Sequence, residues 1–199
     1  DRRKELFDSI TTMPVINKKA IWCRKWIESD YTIAHKILAF AIVEGIFFSS
    51  AFAIIFWFKT KPNNIMPGLT VANEFISRDE ALHVKLAASV YELLKNKLKP
   101  EVVRAIVEEA VEIESEFVRE SLRNRLLGIN SDLMIQYVKY VADTLMVQLG
   151  YEKIYNCSIG LEYMAMIGLP GKSNFFERRN SEYASSKSNP KKIEELEDF

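Results

Sequence analysis

Glu80 and His83 stand three residues apart in the stretch SRDEALH. On a helix that spacing puts a carboxylate and an imidazole on one face, where both reach a single ion. Glu44 lies within an apolar run, LAFAIVEGIFFSSAFAIIFWF from Leu38 to Phe58, where a charge needs compensation. One cation compensates two carboxylates at once. An oxygen-rich set with a single nitrogen suits iron or manganese better than zinc, which favours His and Cys. Each part alone is weak, because Glu-x-x-His arises by chance on solvated helices and a lone Glu in an apolar helix can pair with Lys or Arg. The conjunction carries more. Di-metal carboxylate bundles draw one Glu from each of two helices and Glu-x-x-His from each of two others. This sequence holds one of each and no second Glu-x-x-His, so the spacing predicts half of a metal site.

The elements that must position these residues are helices. With 199 residues, 48% of them hydrophobic, and only 7 Gly and 6 Pro, the chain suits one domain of long regular elements. No strand-like alternation is visible, and the class is all-α. The run Leu38 to Phe58 predicts a helix buried at the centre of a bundle. At roughly 20 residues it also has the length of a membrane span. An acid near the middle of a lone span costs about 2.5–3.5 kcal/mol, which favours the buried helix. Lys59 to Thr70 reads as a connection, with Thr70 capping a helix that carries Asp79, Glu80 and His83 to about Lys97. Pro100 suits the first turn of a third helix, whose apolar residues recur at three and four. Ser131 or Asp132 caps a fourth from Leu133 to Leu149, closed by Gly150. Lys19 to Ile27 and Thr32 to Phe40 read as shorter helical pieces. From Gly171 the sequence turns polar and Ser-rich and ends acidic. The expected organisation is therefore a helical domain over 1–170 and a flexible tail over 171–199.

Other features narrow the function. Lys+Arg and Asp+Glu balance at 27 each, which gives no support for nucleic-acid binding. Cys23 and Cys157 form no metal or redox pair and read as packed thiols in a reducing compartment. Glu108, Glu112, Glu116 and Glu120 make a solvated acidic stripe, and His35 is a surface or packing residue. Phe47, Phe56, Trp57 and Phe58 read as core. The start is charged, with no apolar stretch behind it and no initiator Met, so the sequence reads as processed or partial.

AIVEGIFFSSAFA around Glu44, SRDEALH around Glu80 and His83, IMPGLT, QYVKYVADTLMVQLGY and NFFERRNSEY together resemble the small chain of class I ribonucleotide reductase, of eukaryotic or viral type. The resemblance covers essentially the whole chain and matches the C-terminal part of that family. It implies a ferritin-like helical bundle lacking its N-terminal helices, and a di-iron centre, with manganese as the other candidate metal, in which Glu44, Glu80 and His83 are ligands. It implies that Asp79 hydrogen-bonds the liganding histidine and joins a proton-coupled electron path. Phe48, Phe52 and Ile76 would form a dry pocket around a tyrosyl radical, and Tyr183 would relay the radical to the large subunit. Leu196, Asp198 and Phe199 would dock the tail on that subunit. The implied assembly is a cytoplasmic homodimer with the large subunit as partner, without nucleic acid or membrane. The implied activity is reduction of ribonucleotides to deoxyribonucleotides. The family's remaining ligands, an aspartate, a glutamate and a histidine, and its radical-bearing tyrosine, match nothing in this chain. Two readings thus stand beside each other: a radical-generating subunit carrying half its metal site, and a catalytically silent module that binds the large subunit or a full small chain. Another ferritin-like oxidase would keep the metal logic but leave NFFERRNSEY and the acidic tail unexplained.

Overall fold

The computed structural model describes residues 2–28, 30–62, 64–124, 126 and 128–167, and the regular structure among these is helical. In chain order the elements are α1 (Arg2–Thr12), α2 (Pro14–Glu28), α3 (Ile33–Ile42), a five-residue π-helical turn (Val43–Phe47), α4 (Ser49–Lys59), α5 (Pro67–Glu92), α6 (Pro100–Ser121), α7 (Ser131–Gln148) and α8 (Glu162–Ile167). An isolated bridge between Leu126 and Ile129 tightens the α6–α7 connection.

The apolar run forms the middle of the core, as its composition predicts. Leu38, Ala41, Ile42, Ile46, Ala53 and Phe56 have no exposed surface. Around them pack α2, α5, α6 and α7, each through residues spaced by three and four. Ile33–Lys59 is long and apolar enough to cross a membrane by length and composition, yet half of its most apolar window is buried against these neighbours.

The run departs from expectation in one respect: it is not a single regular helix. At Val43–Phe47 the chain inserts a wider π turn, and α4 begins afresh at Ser49. Such a turn breaks the i→i−4 ladder and leaves carbonyls in need of other donors. Two side chains answer that need here. The Ser49 hydroxyl donates to Ile46 O at 2.7 Å, and Lys19 Nζ donates to Phe47 O at 3.0 Å.

Helix ends differ from expectation for local reasons. α5 starts at Pro67 rather than after Thr70, because Pro fills the first turn at no hydrogen-bonding cost. The Thr70 hydroxyl lies inside that turn, donating to Pro67 O and accepting from Asn64. The helix stops at Glu92, short of Lys97, where the following strand of chain is tied back. Leu98 N–H donates to the Tyr91 hydroxyl, and the Tyr151 hydroxyl donates to Leu98 O. The cap of α7 is Asn130, whose Oδ1 accepts from Leu133 N–H at 3.0 Å, not Ser131 or Asp132. Gly150, at φ +84°, closes that helix as expected. Beyond it, buried Asp143 collects the N–H groups of Ile154, Tyr155 and Cys157 and so fixes an otherwise irregular loop. The Tyr163 hydroxyl then pins α8 to Ala53 O. The expected boundary at 170/171 lies outside the described residues.

Candidate metal centre

α5 has two faces. One, through Thr70, Asn73, Ser77, Ala81, Val84, Ala87 and Tyr91, is buried. The opposite stripe is exposed but apolar, with Leu69, Phe75, Ile76, Leu82, Leu86 and Val90 on it. Glu80 sits on the border between them and His83 one step into the exposed stripe, with 49% of its side chain accessible. The intended pairing on one face is made: His83 Nδ1 lies 2.8 Å from Glu80 Oε2.

Glu44 reaches the same point from the π turn, and its Oε2 is 3.7 Å from His83 Nδ1. One donor atom from each of Glu44, Glu80 and His83 falls within 4.8 Å of the others. The electrostatics are those of crowded like charges beside an imidazole. Burial, then the hydrogen bond and charge of Glu80, push the Glu44 carboxyl up to about 7. The hydrogen bond from protonated Glu44, helped by His83, holds Glu80 below the usual carboxylate range. Hydrogen bonding to Glu80 raises His83.

These residues fit a divalent cation. Glu44 Oε2 is buried without a hydrogen-bond partner, an acceptor that a cation would satisfy. Two carboxylates and one imidazole favour iron or manganese over zinc. Among the described residues the cluster supplies three ligands, which is half of a di-metal set.

The other expected site residues are placed as follows. Asp79 is exposed on the α5 stripe, and the hydrogen bond of His83 goes to Glu80 instead. Phe48 is 39% and Ile76 50% exposed, so among the described residues neither is enclosed in a dry pocket. Phe52 is half-buried, its ring 6.0 Å from that of Phe48. Tyr183, Leu196, Asp198 and Phe199 lie outside the described residues. The acidic stripe of α6 is solvated and laced with ion pairs, Glu108 to Arg104 and Glu112 to Arg119 among them. His35 stacks on Trp26 and contacts the Thr32 hydroxyl. Cys23 and Cys157 are free and half-buried, and burial pushes the Cys23 thiol up.

One polar group near the π turn escaped the sequence reading. Glu114 has no exposed surface, and it pairs with Lys19 and accepts the Ser50 hydroxyl. A signal existed: Glu114 falls four residues after Ala110 and four before Val118, in the buried stripe of α6.

Residues 1–159 match the family described as ribonucleotide reductase, small chain. A ribonucleoside-diphosphate reductase small chain of Acanthamoeba polyphaga mimivirus is 56% identical over 198 residues, covering 99% of this chain and 48% of that protein. A Nicotiana tabacum small chain is 49% identical over 183 residues, covering 92% of this chain and 55% of that one. The solved ribonucleotide reductase Rnr4 homodimer of Saccharomyces cerevisiae superposes with a TM-score of 0.71 at 31% identity, over 92% of this chain and 54% of its own. The chain thus spans about half the length of the curated relatives it matches.

Proposed function

The chain belongs to the ribonucleotide reductase small-chain family, whose helical fold it shares, and from that premise we propose that it carries half of an iron centre in a radical-generating subunit. The observation that carries this reading is the meeting of Glu44, Glu80 and His83 donor atoms within 4.8 Å, with one buried carboxylate oxygen unpartnered. Glu44, Glu80 and His83 would hold the metal, iron first and manganese second. When bound, a di-iron centre would activate molecular oxygen as the oxidant that converts a tyrosine to its radical, for transfer to the large subunit, which reduces ribonucleotides.

The chain's own residues have definable tasks in that scheme. Glu44, held protonated up to about pH 7, releases its proton when a cation arrives. Glu80, already biased toward the anion, would serve as a ligand without first giving up a proton. Asp79, exposed and adjacent to Glu80, would belong to the proton-coupled electron path. Phe48, Phe52 and Ile76 exclude water once a further helical layer covers the stripe. On the same reading the domain ends near residue 170. Tyr183 relays the radical from the segment 171–199, and Leu196, Asp198 and Phe199 dock that segment on the large subunit. The yeast relative is described as a homodimer, which supports the same assembly here. A cytoplasmic setting agrees with two unpaired thiols.

Titration with Mn(II), followed by electron paramagnetic resonance of the free ion, tests the ligand set. One saturable site is expected, weakened at least about tenfold by Glu44→Ala, Glu80→Ala or His83→Ala. Binding that is indifferent to all three overturns it. The radical role is tested separately, by joining the chain to the portion of the mimivirus small chain it does not span. Iron and oxygen should then give a tyrosyl signal. Iron uptake without that signal would leave the silent, large-subunit-binding module as the better account.

A further inference from the structure

The buried group formed by Lys19, Ser50 and Glu114 sits directly behind the π turn that carries Glu44. It gathers three separate elements: Lys19 from α2, Ser50 from the first turn of α4, and Glu114 from the middle of α6. Lys19 Nζ pairs with Glu114 Oε2, donates to Phe47 O at 3.0 Å, and lies 3.7 Å from the centre of the Phe117 ring. The ammonium group thus has a carboxylate, a carbonyl and an aromatic face as its neighbours. The other Glu114 oxygen, Oε1, takes the Ser50 hydroxyl. Burial works against both charges, pushing Glu114 up and Lys19 down, while their mutual attraction and the Ser50 hydrogen bond act the other way.

A buried ion pair of this kind is a poor device for stability, because apolar residues of similar volume often serve as well or better. It is a good device for fixing one arrangement among several. The π turn needs such fixing. Its backbone lacks the regular ladder, and an uninterrupted α-helix through the same apolar residues is the obvious competitor. Lys19 satisfies the last carbonyl of the turn, and Ser50 ties the next helix to the same carboxylate. The turn is therefore held at its exit, three residues beyond Glu44 on the lysine side. Ile46, also in the turn, is fully buried and its carbonyl takes the Ser49 hydroxyl, so the exit has no slack.

We infer that Lys19, Glu114 and Ser50 form a positioning brace, which holds Val43–Phe47 in its π conformation and so aims Glu44 at Glu80 and His83. The inference rests on the reading of those three residues as metal ligands, since aiming has a purpose only if a cation is bound. None of the brace residues touches the metal; each acts through the backbone of the turn.

The test uses the full chain and two variants, Lys19→Met/Glu114→Leu and Ser50→Ala. The first removes both charges together, so that no orphaned ion is left buried. Two readouts are compared: backbone amide exchange over residues 43–50, and Mn(II) affinity. In the double variant, exchange over 43–50 is expected to rise about tenfold or more, while that of α6 and α7 stays within about twofold. Mn(II) affinity should fall about ten- to hundredfold, the usual consequence of losing a group that orients a ligand. Ser50→Ala should show the same pattern at smaller amplitude, and it decides the matter if the double variant does not fold. Unchanged exchange over 43–50 overturns the brace. Faster exchange with parental Mn(II) affinity overturns its positioning role. If the parent chain binds no Mn(II), the ligand reading fails, and the exchange readout alone still decides whether the turn is braced.

Discussion

The proton on the Glu44 carboxyl is where the chemistry of the site begins. The folded value of Glu44, about 7, lies above its ordinary 4.5, so the folded chain holds this proton more tightly than the unfolded one. That contribution to stability is complete below about pH 4.5 and is lost as pH rises through about 7. His83, also raised, works in the same direction, whereas Glu80, lowered, contributes above its ordinary value and loses it on acidification. The metal-free protein is thus expected to lose thermal stability between about pH 4.5 and about pH 7. Glu44→Gln, which keeps a hydrogen-bond donor without a charge, should flatten that loss, as melting followed by circular dichroism would show. An identical slope in parent and variant would assign the dependence elsewhere. Asp143 accepts three backbone N–H groups, so Asp143→Ala is expected to cost about 3 kcal/mol in chemical denaturation. The meeting of Glu44, Glu80 and His83 was legible in the sequence because Glu80 and His83 are neighbours on one turn and Glu44 is conspicuous among apolar residues. Asp143 was not, because no local spacing announces the loop N–H groups it collects, and Glu114 showed only its place in the buried stripe of α6, its partners coming from distant segments.

At the level of elements, the helices follow from three- and four-residue periodicity, and their termini from chemistry that sequence specifies less sharply. Three adjacent residues, Asn130, Ser131 and Asp132, are all competent caps, and only the extended backbone of Asn130 selects it. Asn130→Ala should cost about 1 kcal/mol, with Ser131→Ala near neutral, measured by urea unfolding. Gly160 makes a similar point for loops. Its φ of +71° disfavours any side chain, and an added Cβ would lie 3.2 Å from Leu133 O. Gly160→Ala is expected to destabilise by about 1 kcal/mol or more. The π turn was not legible at all. Apolar residues on every side of the run hide its phase, so periodicity cannot reveal one extra residue in the turn.

For the whole molecule, the α5 stripe is the dominant surface fact. Leu69, Ile76, Leu82 and Leu86 stand exposed on the same side as His83, in a chain about half the length of its relatives. Contiguous apolar surface of this kind binds apolar dyes and promotes association. The isolated chain should enhance the fluorescence of such a dye and scatter light increasingly with concentration, and Leu82→Glu/Leu86→Glu should reduce both. The periodicity of α5 shows which residues share a side. It does not show which side meets solvent, since both sides are rich in apolar residues. The π turn, finally, sets the phase of everything that follows it. Each residue of an α-helix advances the chain by about 100°. Were Val43–Phe47 to close into α-helix with every residue kept, Ser50, Ala53 and Phe56 would swing about a quarter-turn out of register, whereas removing one codon there would leave them in phase. In this fold, then, the extra residue of that stretch is a change of geometry rather than of length, felt at Glu44 within the turn and not in the helix beyond it.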